Sequence, residues 1–322
     1  MTAVIKQSLA GDVGGTNVRL AIVDHHEGAL PEFHTVQRLA GDDFPTLEAA
    51  IQFYLHSLPA DIKLDTLGLA VACPIVGDQV SLTNRGWSFS QQALRTHLGL
   101  QHLIVINDFA AVAAAVPSLL AHGGCTWLTA APTHPITSVV SVYGPGTGLG
   151  VAAVWLGDGR PRVLPGEGGH ASFAAIDDVD VDILHALSRQ FGRVSNERLL
   201  SGRGIENIYE VLCRRAGTMP KTGHDAAMIT HQALTDVDPV CVAALNRFCM
   251  ILGSVGSDIA LIHGAEAVMI AGGIVPRFIE FVKASAFLKR FTTKGRFSSL
   301  LETIPIAVIT HDEPGLLGIA MM

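Results

Sequence analysis

Two short apolar runs, Ser8 to Val13 and Val18 to Val23, flank a glycine turn, the pattern of a hairpin. Phe33 to Leu39 reads as a third strand. Leu47, Ala50, Ile51, Tyr54, Leu55 and Leu58 then recur at helical spacing and form one apolar face, with Asp43 and Pro45 near its start. Leu67 to Val76 is almost wholly apolar, as a strand buried on both faces would be. A short helix over Ser90 to Leu98, a buried strand from His102 to Ile106 and a helix from Phe109 to Leu120 complete the first half.

The second half repeats the scheme. Thr137 to Tyr143 and Leu149 to Leu156 flank another glycine turn, and Arg162 to Leu164 begins a third strand. Helical patterns follow over Val179 to Gln190, Asn196 to Leu200, Ile205 to Arg215 and Val240 to His263. A buried strand from Ala265 to Ala271 leads to a helix after Pro276, and a last strand spans Ile304 to Thr310. Both halves open with a glycine-linked strand pair and continue with alternating helices and strands, which predicts a duplicated α/β architecture of two domains around a central cleft. Pro117, Gly123, Gly124, Pro132 and Pro135 mark the boundary region. The expected division is a small domain of residues 1–118 plus about 310–322, and a large one of 119–309.

Composition narrows the function classes. A length of 322 residues suits two domains, and 49% hydrophobic against 16% charged residues excludes disorder. A net charge of -7 disfavours binding to nucleic acid or to an anionic membrane surface. Asp258, His263 and Glu266 interrupt the most apolar stretch, so no membrane span is expected. Lys6 followed by Asp12 gives no signal-peptide pattern, and five cysteines without metal-type spacing suit reduced thiols, so a cytoplasmic location and no metal-ligand cluster are expected.

The first turn, Gly11-Asp12-Val13-Gly14-Gly15-Thr16-Asn17, matches neither a dinucleotide-binding fingerprint nor a P-loop. A plain hairpin turn needs about two special residues. This one keeps three glycines, a carboxylate and a hydroxyl. Its unhindered N–H groups could cradle phosphate oxygens, Thr16 could donate a hydrogen bond, and Asp12 could hold Mg2+ through water. Gly144-Pro145-Gly146-Thr147-Gly148-Leu149-Gly150 occupies the equivalent place in the second half. Two such turns suit two domains gripping one polyphosphate, with Thr147 as the second hydroxyl. Asn107-Asp108 stands where a strand ends and a helix begins. Helix capping explains that position, and so does a ligand site at the carboxyl end of an α/β strand.

The paired turns resemble the sugar-kinase, heat-shock and actin superfamily, and more narrowly the chain is similar to the bacterial glucokinase family. The resemblance runs in order through Gly11 to Asn17, Thr83-Asn84 with Trp87, Ile106 to Phe109, Gly144 to Gly150, Pro165 to His170, Ser195 to Gly204, Ala271 to Phe278 and Pro314 to Gly318. It implies a duplicated actin-like ATPase fold of the ribonuclease H-like class. It also implies that Asp108 is the catalytic base, that Asn107, Asp108, Glu167, His170 and Glu197 bind the sugar, and that adenosine lies against Gly272 and Gly273. With Gly11, Asp12, Val13, Gly14, Gly15, Thr16, Gly146 and Thr147 on the phosphates, MgATP would span both turns. Arg277 is a further candidate beside the nucleotide, though an exposed helical arginine explains it equally well. Arg85-Gly86 and Arg203 depart from the expected pattern and bear on substrate preference. The cysteine-rich zinc motif of the repressor/ORF/kinase group is absent.

The expected activity is therefore ATP-dependent phosphorylation of glucose to glucose 6-phosphate, with domain closure excluding water. The alternatives are a kinase for mannose, fructose or an amino sugar, and a sugar-sensing regulator without turnover. The expected partners are a sugar and ATP, with a homodimer left open.

Overall fold

The computed structural model describes residues 4–27, 29–59, 62, 64–82 and 85–322; the Thr83-Asn84 pair lies outside the described residues. The chain divides into two compact units, one running to Gly123 and completed by His311–Met322, the other Gly124–Thr310.

The first unit opens with β1 (Val4–Val13), β2 (Asn17–His26) and β3 (Glu32–Ala40). Then come α1 (Leu47–His56), β4 (Thr66–Val71), the small hairpin β5 (Gln79–Ser81) and β6 (Ser88–Ser90), α2 (Gln91–His97), β7 (His102–Asn107) and α3 (Asp108–His122). The sheet order is β3-β2-β1-β4-β7, with the first three strands antiparallel and β1, β4 and β7 parallel. Period-2 alternation sends Leu9 and Val13 to one face, where Leu47, Ile51 and Tyr54 of α1 join them in a buried core. Ala10 faces the other side and packs with Leu316, Ile319 and Ala320 of the C-terminal helix, Pro314–Ala320.

Several local signals decide the element ends. The Thr46 hydroxyl caps α1 by accepting the Ala49 N–H at 3.1 Å, and Ser90 caps α2 in the same way. The apolar stretch expected to be one strand to Val76 leaves the sheet after Val71, and the chain turns into the β5–β6 hairpin. Pro117 lies inside α3 rather than ending it.

The second unit contains β8 (Cys125–Trp127), β9 (Val139–Pro145), β10 (Leu149–Trp155) and β11 (Arg162–Gly166), then α4 (Asp178–Phe191), α5 (Gly202–Arg215), α6 (Ala226–Leu234) and α7 (Pro239–His263). β12 (Ala267–Ile270), α8 (Ile279–Ala284), α9 (Phe287–Thr292), α10 (Ser298–Glu302) and β13 (Ile306–Ile309) follow. Its sheet order is β11-β10-β9-β12-β13-β8. Apart from the added β8, this repeats the first unit: three antiparallel strands, then parallel neighbours beside the first of them. That repeat is the duplicated α/β architecture expected from the sequence, as the resemblance also implies.

By length and composition α7 could cross a membrane. However, 67% of its most apolar 18-residue window is buried against the rest of the protein, so it serves as the central core helix of this unit. A buried charged group ties helices together here. Asp180, fully buried in α4, pairs with Arg247 of α7 at 2.9 Å and with Arg290 of α9 at 2.6 Å. The expected helix at Asn196 to Leu200 is a single 3₁₀ turn, Asn196–Arg198.

Candidate functional site

In the first unit, strand register brings the sequence candidates to one edge. Val13 pairs with Val71, and Val71 pairs with Asn107, across three parallel strands. The carboxyl ends of β1, β4 and β7 are therefore level. The glycine turn leaves one of them and Asn107-Asp108 leaves another, two strand spacings away, or about 10 Å. Such a row of strand ends is where α/β folds place ligands.

The turn closes through the Gly14 N–H, which donates to the Asn17 carbonyl at 3.0 Å. Gly14 and Gly15 are half-buried, and Thr16 is exposed. Gly11 has an additional packing role, because a Cβ there would press against the Leu69 and Leu20 side chains. Asp12 faces the C-terminal helix side and shares its Oδ2 with Arg19 Nη1 at 3.1 Å. Arg19 also reaches Glu313 at 3.0 Å, and Arg38 pairs with the same glutamate at 3.3 Å. Burial raises the Asp12 carboxyl above its ordinary value, with Arg19 opposing the shift and Glu313 adding to it. A single carboxylate suits a magnesium ion that keeps most of its waters and arrives on phosphate.

Asn107 and Asp108 divide the helix start between them. Asn107 is the N-cap of α3; its Oδ1 accepts the Phe109 and Ala110 N–H groups at 2.9 and 3.1 Å, and its Nδ2 donates to the Cys73 carbonyl at 3.4 Å. Asp108 Oδ1 also accepts the Phe109 N–H, at 2.8 Å. Capping is thus real at Asn107, and Asp108 stands at the first helical position with its carboxylate oriented by the backbone.

In the second unit, the turn between β9 and β10 closes through the Gly146 N–H to the Gly148 carbonyl at 2.8 Å, and the Gly202 N–H at the start of α5 donates to the Gly146 carbonyl at 3.0 Å. Thr147 is exposed at its tip. Glu197 lies directly on this turn. Its Oε2 accepts the Leu149 N–H at 3.0 Å, and a Cβ at Gly148 would overlap it. Glu167 and His170 are exposed at the two ends of a loop that packs flat on β10, where Gly169 lies against the Leu149 carbonyl. The His170 carbonyl accepts Arg193 at 2.7 Å. Backbone pairing of Ser172 with Ser195 fixes this loop beside the Glu197 segment.

Gly272 and Gly273 follow β12. Gly272 has φ +84, and a Cβ there would collide with the Pro145 carbonyl, so this segment and the second turn meet backbone to backbone. Gly273 opens to free space, and Arg277 is exposed on the 3₁₀ turn Val275–Phe278. The unit thus gathers Gly146, Thr147, Gly272, Gly273, Glu167, His170 and Glu197 around one hairpin.

Two residues at these sites were not singled out by sequence reasoning as site residues. Arg19 stands across from Asp12 in the hairpin register, a pairing that counting outward from the turn would have given. Arg85, taken from the sequence as a departure bearing on substrate preference, donates to the turn's own carbonyls. Separately, His224, Asp238 and Cys241 place ligand atoms within 4.8 Å of one another; Lys221 pairs with Asp238 at 2.6 Å, and the Gln232 side-chain carbonyl engages His224 at 3.1 Å.

Chemically, the first unit offers backbone amides suited to phosphate at the same sheet edge as an oriented carboxylate. The second offers amides, hydrogen-bonding side chains for a polyol, and bare backbone for a flat base. The family profile described as Glucokinase matches residues 9–322. The chain is 44% identical over 319 residues to the glucokinase of Tolumonas auensis, covering 97% of this chain and 95% of that one. It is 45% identical over 316 residues to the glucokinase of Pectobacterium atrosepticum, covering 96% and 94%. Among solved structures, a glucokinase from an Antarctic psychrotroph superposes with a TM-score of 0.87 at 37% identity and 98% coverage of both chains.

Proposed function

Since the chain belongs to the glucokinase family, we propose that it phosphorylates D-glucose at the 6-hydroxyl with ATP, using Asp108 as the base. The observation that carries the residue assignment is the level row of strand ends, which sets the phosphate turn and Asp108 at the same edge of one sheet.

In this reading Asn107, Glu167, His170 and Glu197 hold the sugar hydroxyls, and Asp108 accepts the proton of the 6-hydroxyl as its oxygen attacks the γ-phosphorus. The new O–P bond forms in line with the breaking bond to the β–γ bridging oxygen, and ADP leaves. The backbone amides of Gly14, Gly15 and Thr16, and of Gly146 and Thr147, bind phosphate oxygens; Gly272 and Gly273 accommodate adenosine. Asp12 would hold the magnesium of MgATP through water, and the ion would neutralise phosphate charge there. The acidic balance of the chain is no obstacle, because amides and the metal rather than surface cations bind the polyanion.

The test is ADP release from the purified protein with MgATP against a panel of hexoses. Glucose should stimulate release most, and Asp108→Asn should lower the rate by about 10²- to 10⁴-fold while glucose binding survives. Loss of sugar binding in proportion to rate would overturn the base assignment. Preference for another hexose would shift the substrate, and binding without turnover would make the protein a sensor.

A further inference from the structure

Arg85 sits in the loop between β5 and β6, seventy residues beyond the first glycine turn, yet it is built into that turn. Its Nε and Nη2 donate to the Gly15 carbonyl at 3.2 and 3.0 Å, and Nη2 also donates to the Thr16 carbonyl at 3.1 Å. The guanidinium lies over the Trp87 ring, 4.6 Å from its centroid, and pairs with Asp42 at 3.3 Å. Its side chain is only 9% exposed, whereas Asp42 is 92% exposed. The Gly41 N–H donates to the same Thr16 carbonyl at 2.9 Å.

This arrangement has a directional consequence. In a trans peptide the C=O and the following N–H point opposite ways. Holding the Gly15 carbonyl toward Arg85 therefore turns the Thr16 N–H to the other side of the turn. A tripeptide with two glycines would otherwise sample many orientations, and an amide must be fixed beforehand to bind an anion without an entropic cost. Arginine suits the task because its planar fork reaches two adjacent carbonyls at once, which an ammonium cannot reproduce.

We infer that Arg85 is a positioning residue that presets the Gly14-Gly15-Thr16 turn for the phosphates of a nucleoside triphosphate. The inference rests on the reading of that turn as a phosphate site. Arg85 acts through the backbone and touches neither the sugar nor the reacting atoms.

Gly41 supplies an independent handle. A Cβ there would overlap the Arg85 guanidinium, while the backbone at Gly41 needs no positive φ. Gly41→Ala should thus displace the guanidinium without altering Arg85 itself. In steady-state ADP release, Arg85→Ala should raise KM for MgATP about tenfold, in the range lost with charge-assisted hydrogen bonds, with KM for glucose and kcat changing much less. Arg85→Lys should recover little, millimolar guanidinium should restore part of the loss in Arg85→Ala, and Gly41→Ala should show the same KM split. The double variant should be no worse than Arg85→Ala, because both remove one interaction.

An unchanged KM for MgATP in Arg85→Ala overturns the inference, as does a uniform loss in kcat and both KM values that tracks a fall in thermal stability. Additive effects of the two substitutions overturn it too. The underlying reading fails differently: wild-type protein would then show no glucose-stimulated ADP release, or Thr16→Ala would leave MgATP kinetics untouched.

Discussion

At Asn107 one side chain is asked to do two things, and the geometry separates them. Its Oδ1 caps α3 through two backbone N–H groups, while its Nδ2 reaches the Cys73 carbonyl. Asn107→Asp keeps an oxygen for the cap and replaces the amide donor, so stability should stay near that of the wild type while KM for glucose rises. Asn107→Ala removes both and should also cost about 1 kcal/mol of stability, the usual worth of such a cap. Thermal melts beside glucose kinetics check the split; equal melting losses in both variants would remove the capping argument. Asn107 and Asp108 were legible in the sequence because a strand end and a helix start coincide there. Arg19 was legible only in principle, through its register with Asp12. Arg85 was not, because its contact with Gly15 depends on how the loop after β5 folds back, and no periodicity records that.

Elements with a sustained apolar period, and short ones flanked by clear breaks such as α2 and β7, were readable, while weakly patterned ones were not. α7 announces itself over 25 residues and covers β9, whereas α6 buries only Ile229 and Ala233 and has too few turns to show a period. The run from Leu67 to Val76 misled because apolarity continues past the point where the ladder ends: the Ala72 N–H makes the last rung to the Val13 carbonyl, the Cys73 N–H turns back to the Val71 carbonyl, and Pro74 follows. The contact between α7 and β9 also carries a pH dependence. His263 Nδ1 lies 2.8 Å from the Ser141 hydroxyl, and burial holds the imidazole below its ordinary value near 6.5. Below that pH the unfolded chain takes up a proton that the folded one resists. The stability present above pH 6.5 is therefore lost progressively as pH falls toward the folded value, and levels off beneath it. His25, lowered mainly by burial, adds a contribution of the same sign in the first unit. Melting temperature followed from pH 7.5 to 5 should fall less steeply in His263→Gln than in the wild type, and an unchanged slope would remove His263 from the account.

The scale of the whole molecule is set by a chain that leaves its first unit at Gly123 and returns at His311. The duplication itself was visible in the sequence, because each half carries its own glycine hairpin followed by parallel strands. The sequence placed residues from about 310 onward with the small domain, and the returning helix, Pro314–Ala320, packs on β1 and β4 beside α3. Leu316, Leu317 and Ile319 are almost fully buried, and Gly318 lies against the Ala111 carbonyl of α3 so closely that no Cβ fits. Burying three such side chains contributes about 5–9 kcal/mol, comparable with the roughly 5–15 kcal/mol that holds a domain folded. The same segment brings Glu313 to Arg19, and Arg19 holds Asp12. Deleting residues 311–322 should therefore unfold the first unit and abolish ADP release, while the second unit, whose core draws nothing from that segment, stays folded. Amide hydrogen exchange read by peptide separates the two. Protection should vanish in β1, β4 and α3 and persist in α7 and β12; protection retained in β1 would mean that the first sheet does not need its returning helix.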